Sequence, residues 1–256
     1  MRIAVFSDIH ANPYALRAVL DALKAEGPFD AVVSAGDVCL GGSDASACLD
    51  MLLEAGVNSV YGNADMFTLN LPKEPPAEKY RARWTHTIAN ARWEADRLGP
   101  DRMKYLETLP FSLRFSPTGR AQDDILLVHA NPKEVHTHIL PPENIQERLI
   151  GTVCQPDGDK DLADVIQNVR AGLVVHGHFH YSCERSIRGL RLVNVASVGA
   201  SPFEGDGRAR YTVLSYNGSW KTDRRTVSQD IDAERRALMR SDMPGKESAA
   251  ALYSGR

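Results

Sequence analysis

The sequence predicts an α/β fold in which two packed mixed sheets are flanked by helices. The N-terminal half alternates short apolar runs with helical stripes, which is the pattern of parallel strands joined by helical crossovers. After Gly177 the pattern changes to short strand-like runs separated by the hairpin signals Arg188-Gly189 and Asn217-Gly218. Because 256 residues with 43% hydrophobic content can bury one substantial core, we predict a single domain over residues 1–256, with a C-terminal helical extension from about residue 229.

The first predicted strand is Arg2–Phe6, an apolar run of the kind that parallel sheets bury on both faces. Asn12 can cap the following helix, and Pro13 fits its first turn. The buried stripe of this helix comprises Leu16, Val19, Leu20 and Leu23. The next two strands are predicted at residues 31–34 and 57–61, with a helical stripe of Cys48, Leu49, Leu52 and Leu53 between them.

Further strands are predicted over residues 125–128, 173–175, 183–187, 190–195, 209–215 and 220–227. A third helical stripe, interpreted as core, comprises Tyr80, Trp84, Ile88 and Ala91. Residues 72–76 predict a flexible surface loop. Residues 229–240 predict a helix that Pro244-Gly245 ends; we favour packing on the core, with subunit contact as the alternative.

Polar side chains stand where the apolar runs end. A lone Asp there is typical of a turn or helix cap, and a lone buried His is typical of a packed residue. The joint pattern favours a ligand site, because the carboxyl ends of parallel strands meet at the edge of an α/β sheet where ligands bind. Seven side chains are the candidate metal ligands: Asp8, His10, Asp37, Asn63, His129, His178 and His180.

Carboxylate, amide and imidazole donors together suit manganese, iron, zinc, cobalt or nickel rather than calcium. Two metals need a separation of roughly 3.5–4 Å and usually a bridging carboxylate. We expect Asp37 to be this bridge, because it lies along the chain between the Asp8 and His10 pair and Asn63.

Strand alternation beyond the apolar runs predicts that Asp8 and His10 share one side. It also places His176, His178 and His180 on a common side and so cannot select two of the three. We interpret His176 as packed behind the ligands, with a substrate contact as the alternative.

These motifs resemble those of the calcineurin-like metallophosphoesterases. The matching segments, in order, are Asp8-Ile9-His10, Gly36-Asp37, Gly62-Asn63-Ala64-Asp65, His129 and Gly177-His178-Phe179-His180. Others are similar to the small bacterial phosphodiesterase branch: His10-Ala11-Asn12, Gly41-Gly42-Ser43-Asp44 and Leu106-Glu107-Thr108-Leu109-Pro110. The resemblance extends from Met1 to about Gly218 and implies a four-layer α-β-β-α sandwich.

The resemblance also implies two divalent metal ions, with manganese foremost and iron, zinc, cobalt or nickel as alternatives. By this resemblance one metal is held by Asp8, His10, Asp37 and His180, and the second by Asp37, Asn63, His129 and His178. A hydroxide that bridges the two metals is then the nucleophile, and no protein nucleophile is expected. The Gly-His-x-His pattern selects His178 and His180 as ligands, while Asn63 and His176 are the candidate substrate contacts.

Position 64 departs from the family pattern. Many members carry a His here, as leaving-group acid or phosphate contact, where this chain has Ala64. Its absence argues against fast phosphomonoester hydrolysis and favours diesters with good leaving groups, as in the bacterial branch. Asp65 is interpreted as an orienting residue or as the cap of the next helix. His136 and His138 are interpreted as ordinary loop residues rather than substrate contacts.

We therefore predict a metal-dependent phosphodiesterase that acts on a small phosphate ester. The nearest alternative is a phosphomonoesterase or phosphoprotein phosphatase, although Val38-Cys39 replaces the Arg-Gly continuation of the protein phosphatases. A third alternative is a noncatalytic scaffold of the same fold, like the retromer scaffold subunit of this superfamily.

Composition limits the expected partners and location. A net charge of −3, from 30 basic and 33 acidic residues, does not indicate binding to nucleic acid or to a membrane. A homo-oligomer is the remaining alternative to a monomer. The four cysteines lack C-x-x-C spacing and predict reduced thiols. The N-terminus shows no signal peptide, and no apolar run approaches the ~20 residues that span a bilayer. We predict a cytoplasmic protein.

Overall fold

A computed structural model describes residues 1–71, 81–199, 203 and 205–253 of the chain, with residues 81–84 described by their backbone alone. The predicted loop at residues 72–76 and the predicted core position Tyr80 lie outside the described residues, as does the side chain of Trp84.

The strands of the described chain are β1 (Arg2–Phe6), β2 (Ala31–Ser34), β3 (Asn58–Ser59), β4 (Ser112–Phe115), β5 (Ile125–Val128), β6 (Leu173–His176), β7 (Ser182–Ile187), β8 (Leu190–Val195), β9 (Ala209–Tyr216) and β10 (Trp220–Val227). The α-helices are α1 (Pro13–Glu26), α2 (Ala45–Glu54), α3 (Asn63–Leu69), α4 (Arg81–Thr108), α5 (Glu143–Ile150), α6 (Lys160–Ile166), α7 (Ile231–Arg240) and α8 (Lys246–Ala251). Helix α4 is interrupted at Gly99, whose φ of 72° is not helical.

The strands form two five-stranded mixed sheets. The first has the order β10-β9-β1-β2-β3, in which β1, β2 and β3 are parallel and the β9–β10 hairpin joins antiparallel to β1. The second has the order β4-β5-β6-β8-β7, in which β5, β6 and β8 are parallel and the two edge strands are antiparallel. The carboxyl ends of the parallel strands therefore form one edge in each sheet.

Alternation along β1 shows how the layers pack. Ile3 and Val5 point into a core between the two sheets, where they join Leu127 and Val175 from the second sheet. Ala4 and Phe6 belong instead to a core on the opposite face, against α1, α2 and α4; its members include Leu16, Val19, Leu49, Leu52 and Leu98. A third core packs α6 on the second sheet. The predicted four-layer α-β-β-α sandwich is confirmed.

Capping and turn residues in the sequence account for several of these element boundaries. Asn12 caps α1 by accepting the Ala15 N–H at 2.9 Å, with Pro13 in the first turn, and Asp44 caps α2 in the same way. The Arg188-Gly189 turn has positive φ at both residues, as a tight hairpin requires.

Several elements differ from the sequence prediction. The third strand is only Asn58–Ser59 rather than residues 57–61, because the N–H of Tyr61 already bonds to Pro110 O at 3.2 Å. Strand β4 and helices α5 and α6 were not predicted. The tail after Pro244-Gly245 forms α8, which packs with α7 and Trp93 in a separate small core. In the described part of the chain, no helix is long and apolar enough to cross a membrane.

Candidate metal centre

The candidate ligands lie beyond the carboxyl ends of strands from both sheets. The first sheet and helix α3 contribute Asp8, His10, Asp37 and Asn63, and the second sheet contributes His129, His178 and His180. The structure brings all seven together, in two adjoining groups.

The first group consists of Asp8, His10 and His180, whose ligand atoms lie within 4.8 Å of one another. His180 Nε2 lies 3.1 Å from Asp8 Oδ1 and 3.0 Å from His10 Nε2. Burial of Asp8 favours its neutral form, but the surrounding histidines, His180 foremost, hold the pKa of this carboxyl well below its usual value. Asp8 is therefore an ionised donor in a fully buried position.

The second group consists of Asp37, His129 and His178, with Asn63 beside it. His129 Nε2 lies 3.3 Å from Asp37 Oδ2, 3.2 Å from His178 Nδ1 and 3.0 Å from Asn63 Oδ1. Burial disfavours the charged form of His129, but Asp37 outweighs it and raises the pKa of His129 to about 9. This position therefore attracts a positive charge, whether a proton or a metal ion.

Asp37 lies close to donors of both groups. Its Oδ2 lies 3.3 Å from His129 Nε2 and 3.8 Å from His10 Nε2. Its Oδ1 accepts the N–H of Ala64 at 2.8 Å, which leaves Oδ2 directed between the groups. Asp37 therefore lies near donors of both groups, and its bridging role stays a prediction.

Backbone carbonyls determine which imidazole nitrogen faces the centre. The contacts are His10 Nδ1 to Leu40 O at 2.9 Å, His129 Nδ1 to Ala35 O at 2.8 Å and His178 Nε2 to His136 O at 2.8 Å. A nitrogen that donates to a carbonyl carries the hydrogen, so the opposite nitrogen of the neutral ring presents a lone pair. His129 Nε2, His178 Nδ1 and the side-chain amide of Asn63 thus converge. A proton on His129 can occupy this position, and the neutral imidazoles together with an amide oxygen also fit a divalent metal ion.

The backbone is strained around the donors. Five of the candidate ligands have positive φ: Asp8 (56°), His10 (50°), Asp37 (54°), His178 (67°) and His180 (57°). Such conformations cluster at functional sites, and Asp and His tolerate them better than most side chains do. The prediction that strand alternation continues through these residues is wrong, because β1 ends at Phe6 and β6 ends at His176 before the chain turns.

The motif glycines permit close approach to the ligands. A Cβ atom added at Gly177 would lie 2.4 Å from Asp8 Oδ2, and one added at Gly62 would lie 2.0 Å from Asp37 Oδ1. No side chain fits at these distances. Glycine at both positions therefore lets the main chain pack directly against the two carboxylates.

His176 belongs to neither ligand group. It ends β6, is 2% exposed, and its Nδ1 lies 3.2 Å from Asn194 Nδ2 and 3.3 Å from Gly177 O. Burial lowers its pKa to about 4. These contacts agree with the interpretation of a packed residue, and the buried ring offers no surface to a substrate in this structure.

Asp65 fills both of the roles that the sequence left open. Its carboxylate closes a capping box with the N–H of Gly62 at 2.8 Å. It also accepts the N–H groups of Asp37, Val38 and Cys39 at 3.0, 2.9 and 3.0 Å. Burial and the nearby Asp37 raise the pKa of Asp65 to about 6. Asp65 thus holds the backbone that positions the bridging carboxylate.

Two buried carboxylates that sequence analysis missed support the loop after β2. Glu94 accepts the N–H of Leu40 at 2.7 and 3.1 Å, and the carbonyl of Leu40 in turn holds His10. Glu234, on α7, accepts the N–H and hydroxyl of Ser43 at 2.8 and 2.6 Å. Burial raises the pKa of Glu94 to about 8 and that of Glu234 to about 7. No sequence pattern shows these contacts, because the partners are 54 and 191 residues apart.

His136 and His138, which were interpreted as ordinary loop residues, both contact the second group. The carbonyl of His136 holds His178, and the ring of His138 stacks on the ring of His178. His136 thus contacts the second group through its backbone, whereas His138 contacts it through its side chain.

The profile of the calcineurin-like phosphoesterases matches residues 1–182, which is more than half of the chain. The chain belongs to this family. This phosphoesterase is 26% identical over 262 residues to an uncharacterised protein of Methanocaldococcus jannaschii, with 94% of this chain and 93% of the relative covered.

Two solved structures share its fold. A metallophosphoesterase from Sphaerobacter thermophilus superposes with a TM-score of 0.71 at 21% identity, covering 100% of this phosphoesterase and 99% of that chain. A protein from Pyrococcus horikoshii OT3 superposes with a TM-score of 0.77 at 18% identity, covering 98% and 97%. The predicted family resemblance is confirmed. The family implies divalent metal ions, and the two donor groups are candidate sites for them.

Proposed function

We propose that this phosphoesterase hydrolyses small phosphodiesters with the help of two divalent metal ions, manganese foremost. The observation that carries the proposal is the pair of donor groups that share Asp37. When bound there, the cations supply an activated water and neutralise charge on the phosphoryl oxygens. Membership of the calcineurin-like phosphoesterases supports hydrolysis of a phosphate ester.

The protein's own residues provide binding and orientation. One ion would be held by Asp8, His10, Asp37 and His180, and the other by Asp37, Asn63, His129 and His178. Carbonyl groups behind His10, His129 and His178 keep the donor nitrogens directed at the centre. We propose that Asn63 also contacts the substrate, because it is half-buried at the start of α3 and lies beside the second donor group.

Position 64 supports diesters with good leaving groups over monoesters. Ala64 is 2% exposed, and its backbone N–H is already bonded to Asp37. The residue therefore supplies no acid, and a leaving group must depart without protonation from this side of the centre. A phosphomonoesterase is the alternative. Assays of a diester and a monoester side by side would distinguish it from a phosphodiesterase.

The other two alternatives fit less well. In the position where protein phosphatases continue with Arg-Gly, Val38 and Cys39 are fully buried and cannot contact a phosphopeptide. Burial, assisted by Glu94, raises the pKa of the Cys39 thiol well above its usual value, so this cysteine is not a nucleophile. A noncatalytic scaffold would not need seven convergent donors, five of them with positive φ.

The test is a metal-resolved substrate panel. Protein stripped by a chelator is reloaded separately with manganese, iron, zinc, cobalt or nickel, and the bound metal is counted by elemental analysis. Each form is then assayed with bis(p-nitrophenyl) phosphate, p-nitrophenyl phosphate and a nucleotide. We expect two ions per chain, the highest activity with manganese, and faster hydrolysis of the diester.

Each contrary result points to a named alternative. Faster hydrolysis of the monoester would replace the proposal with a phosphomonoesterase, and metal uptake without any hydrolysis would favour the scaffold. We further propose a cytoplasmic enzyme with no nucleic-acid or membrane partner, in keeping with the small net charge and the cysteines, which are free in the described structure. Sedimentation of the purified protein would decide whether it forms a homo-oligomer.

A further inference from the structure

The loop after β5 carries an exposed imidazole against the metal centre. The ring of His138 stacks on the ring of His178, with centroids 3.9 Å apart and planes inclined by 22°. The ring of His178 in turn lies against that of His129, with centroids 5.0 Å apart. His138 therefore stands beside the second donor group.

The ring nitrogens of His138 can form hydrogen bonds with a bound molecule. In the described part of the chain, the His138 side chain makes ring contacts, with His178 and with Phe179 at 5.6 Å, and neither ring nitrogen has a hydrogen-bond partner. His10 and His129 differ, because each has a nitrogen bonded to a backbone carbonyl. A neutral imidazole carries one N–H donor and one acceptor, so His138 can bond to a bound molecule.

The loop that presents His138 is built around a buried amide. Asn131, which is 1% exposed, accepts the N–H of Glu134 at 3.0 Å and donates to Glu134 Oε1 at 2.6 Å and to the Thr137 carbonyl at 2.8 Å. The carbonyl of His138 accepts from Gln155 Nε2 at 3.3 Å. Hydrogen bonds on both sides thus fix the backbone of His138, as precise positioning of a contact residue requires.

Ala64, whose N–H bonds to Asp37, offers no side-chain hydrogen bond to a bound ester, because its methyl group can neither donate nor accept. A side-chain hydrogen bond to the phosphoryl group therefore comes from another residue. His138 is an exposed imidazole with free nitrogens that packs directly on a candidate ligand.

We propose that His138 is a catalytic residue whose ring N–H donates a hydrogen bond to a phosphoryl oxygen of the bound ester. The proposal rests on the proposed function, since it needs a phosphate ester at the metal centre. The contact is with the phosphoryl group, which all phosphate esters share, and not with the leaving group. Its contribution is therefore independent of the leaving-group pKa, unlike that of an acid at position 64.

The experiment compares His138→Phe with His86→Phe. Phenylalanine at 138 keeps a ring to stack on His178 and removes the donor. The same change at His86, an exposed histidine on α4 with no contact to the donor groups in the described structure, controls for the loss of an exposed imidazole. Binding of inorganic phosphate to the manganese-loaded proteins is measured by calorimetry, and bound manganese by elemental analysis. Rates are measured for aryl diesters with leaving groups of graded pKa.

For His138→Phe we expect full manganese content, phosphate binding weakened by about 10- to 100-fold, and kcat/KM lowered by a similar factor for every leaving group, as befits one hydrogen bond to a charged acceptor. His86→Phe should match the wild type. Unchanged phosphate binding, loss of manganese, or a loss of rate that grows with leaving-group pKa would overturn the assignment. If the wild type binds phosphate but hydrolyses no ester, the proposed function fails while the binding comparison still tests His138.

Discussion

Replacing Asp37 by Asn tests whether one carboxylate serves both metal sites. The amide has the size of the carboxylate, and its oxygen can still accept the Ala64 N–H that Oδ1 accepts at 2.8 Å. The loop after β2 should therefore keep its fold. The change removes the negative charge at Oδ2, which lies 3.3 Å from His129 Nε2 and 3.8 Å from His10 Nε2.

The size of the effect follows from the charge that is removed. A pair of unit charges about 4 Å apart interacts by roughly 4 kcal/mol at an effective dielectric constant of about 20, and a divalent cation doubles this. Because Asp37 is 1% exposed, the cost of keeping its charge out of water offsets part of the attraction. Even a net loss of about 3 kcal/mol at each site lowers its metal affinity by more than about 100-fold.

The assay counts metal at limiting concentration. Chelator-stripped wild-type and Asp37→Asn proteins are equilibrated with micromolar manganese, separated from free ions and subjected to elemental analysis, with circular dichroism as the check of folding. Asp50→Asn is the matched control, since this carboxylate lies on the surface with Arg102 at 2.6 Å and contacts neither donor group. We expect two ions per chain in the wild type and the control, and loss of both with nearly all hydrolysis in Asp37→Asn.

Two results would refute this reasoning. If folded Asp37→Asn still binds two ions tightly, the carboxylate does not bridge the sites. If only one ion is lost, Asp37 belongs to a single group, and its distance of 3.8 Å to His10 Nε2 reflects proximity without coordination.

Three further predictions concern the imidazoles. Alanine at His178 or His180 should weaken manganese binding by at least about tenfold, whereas alanine at the buried His176 should mainly lower the free energy of unfolding; equal losses of affinity in indicator titrations would contradict the ligand assignment. Ala64→His should accelerate hydrolysis of esters with poor leaving groups by up to roughly 10²–10⁴-fold and change activated esters little, and a uniform change across leaving groups of graded pKa would exclude the missing-acid interpretation. Because the pKa of His129 is raised to about 9, the metal-free protein holds this proton near neutral pH, and manganese must displace it. Calorimetric titrations near neutral pH should therefore depend on the ionisation enthalpy of the buffer and lose that dependence well above the pKa, and heats that are the same in all buffers would exclude the release.

The sequence predicted the candidate ligands because each follows an apolar run, and the structure brings these residues together. The sequence did not predict their backbone conformations. Strand alternation predicted a common side for His178 and His180, but both adopt left-handed φ beyond the end of β6, and this is what directs them to different groups. A turn of this kind depends on contacts with other strands, since the N–H of His178 bonds to Asp8 Oδ2 at 2.9 Å, 170 residues away.

The residues that hold the ligands were also beyond sequence analysis. Glu94 lies in a long helix with ordinary charged neighbours, and only the packing of α4 shows that its carboxylate supports the loop that carries Leu40. The same is true of Glu234 in the C-terminal extension. Their burial is a tertiary property, because a charged residue on an amphipathic helix is usually exposed to solvent.

The sequence by itself determined the alternation of strands and helices, the identity and order of the donor side chains, and the absence of an imidazole at Ala64. These properties are local, because periodicity, capping and motifs depend on residues that are close together in the sequence. Only the tertiary structure decided how the donors divide into two groups around Asp37, that His176 is packed away, and that His138 lies against the centre. Those outcomes depend on how two sheets and their loops meet across long stretches of chain, and local propensity carries no information about such distances.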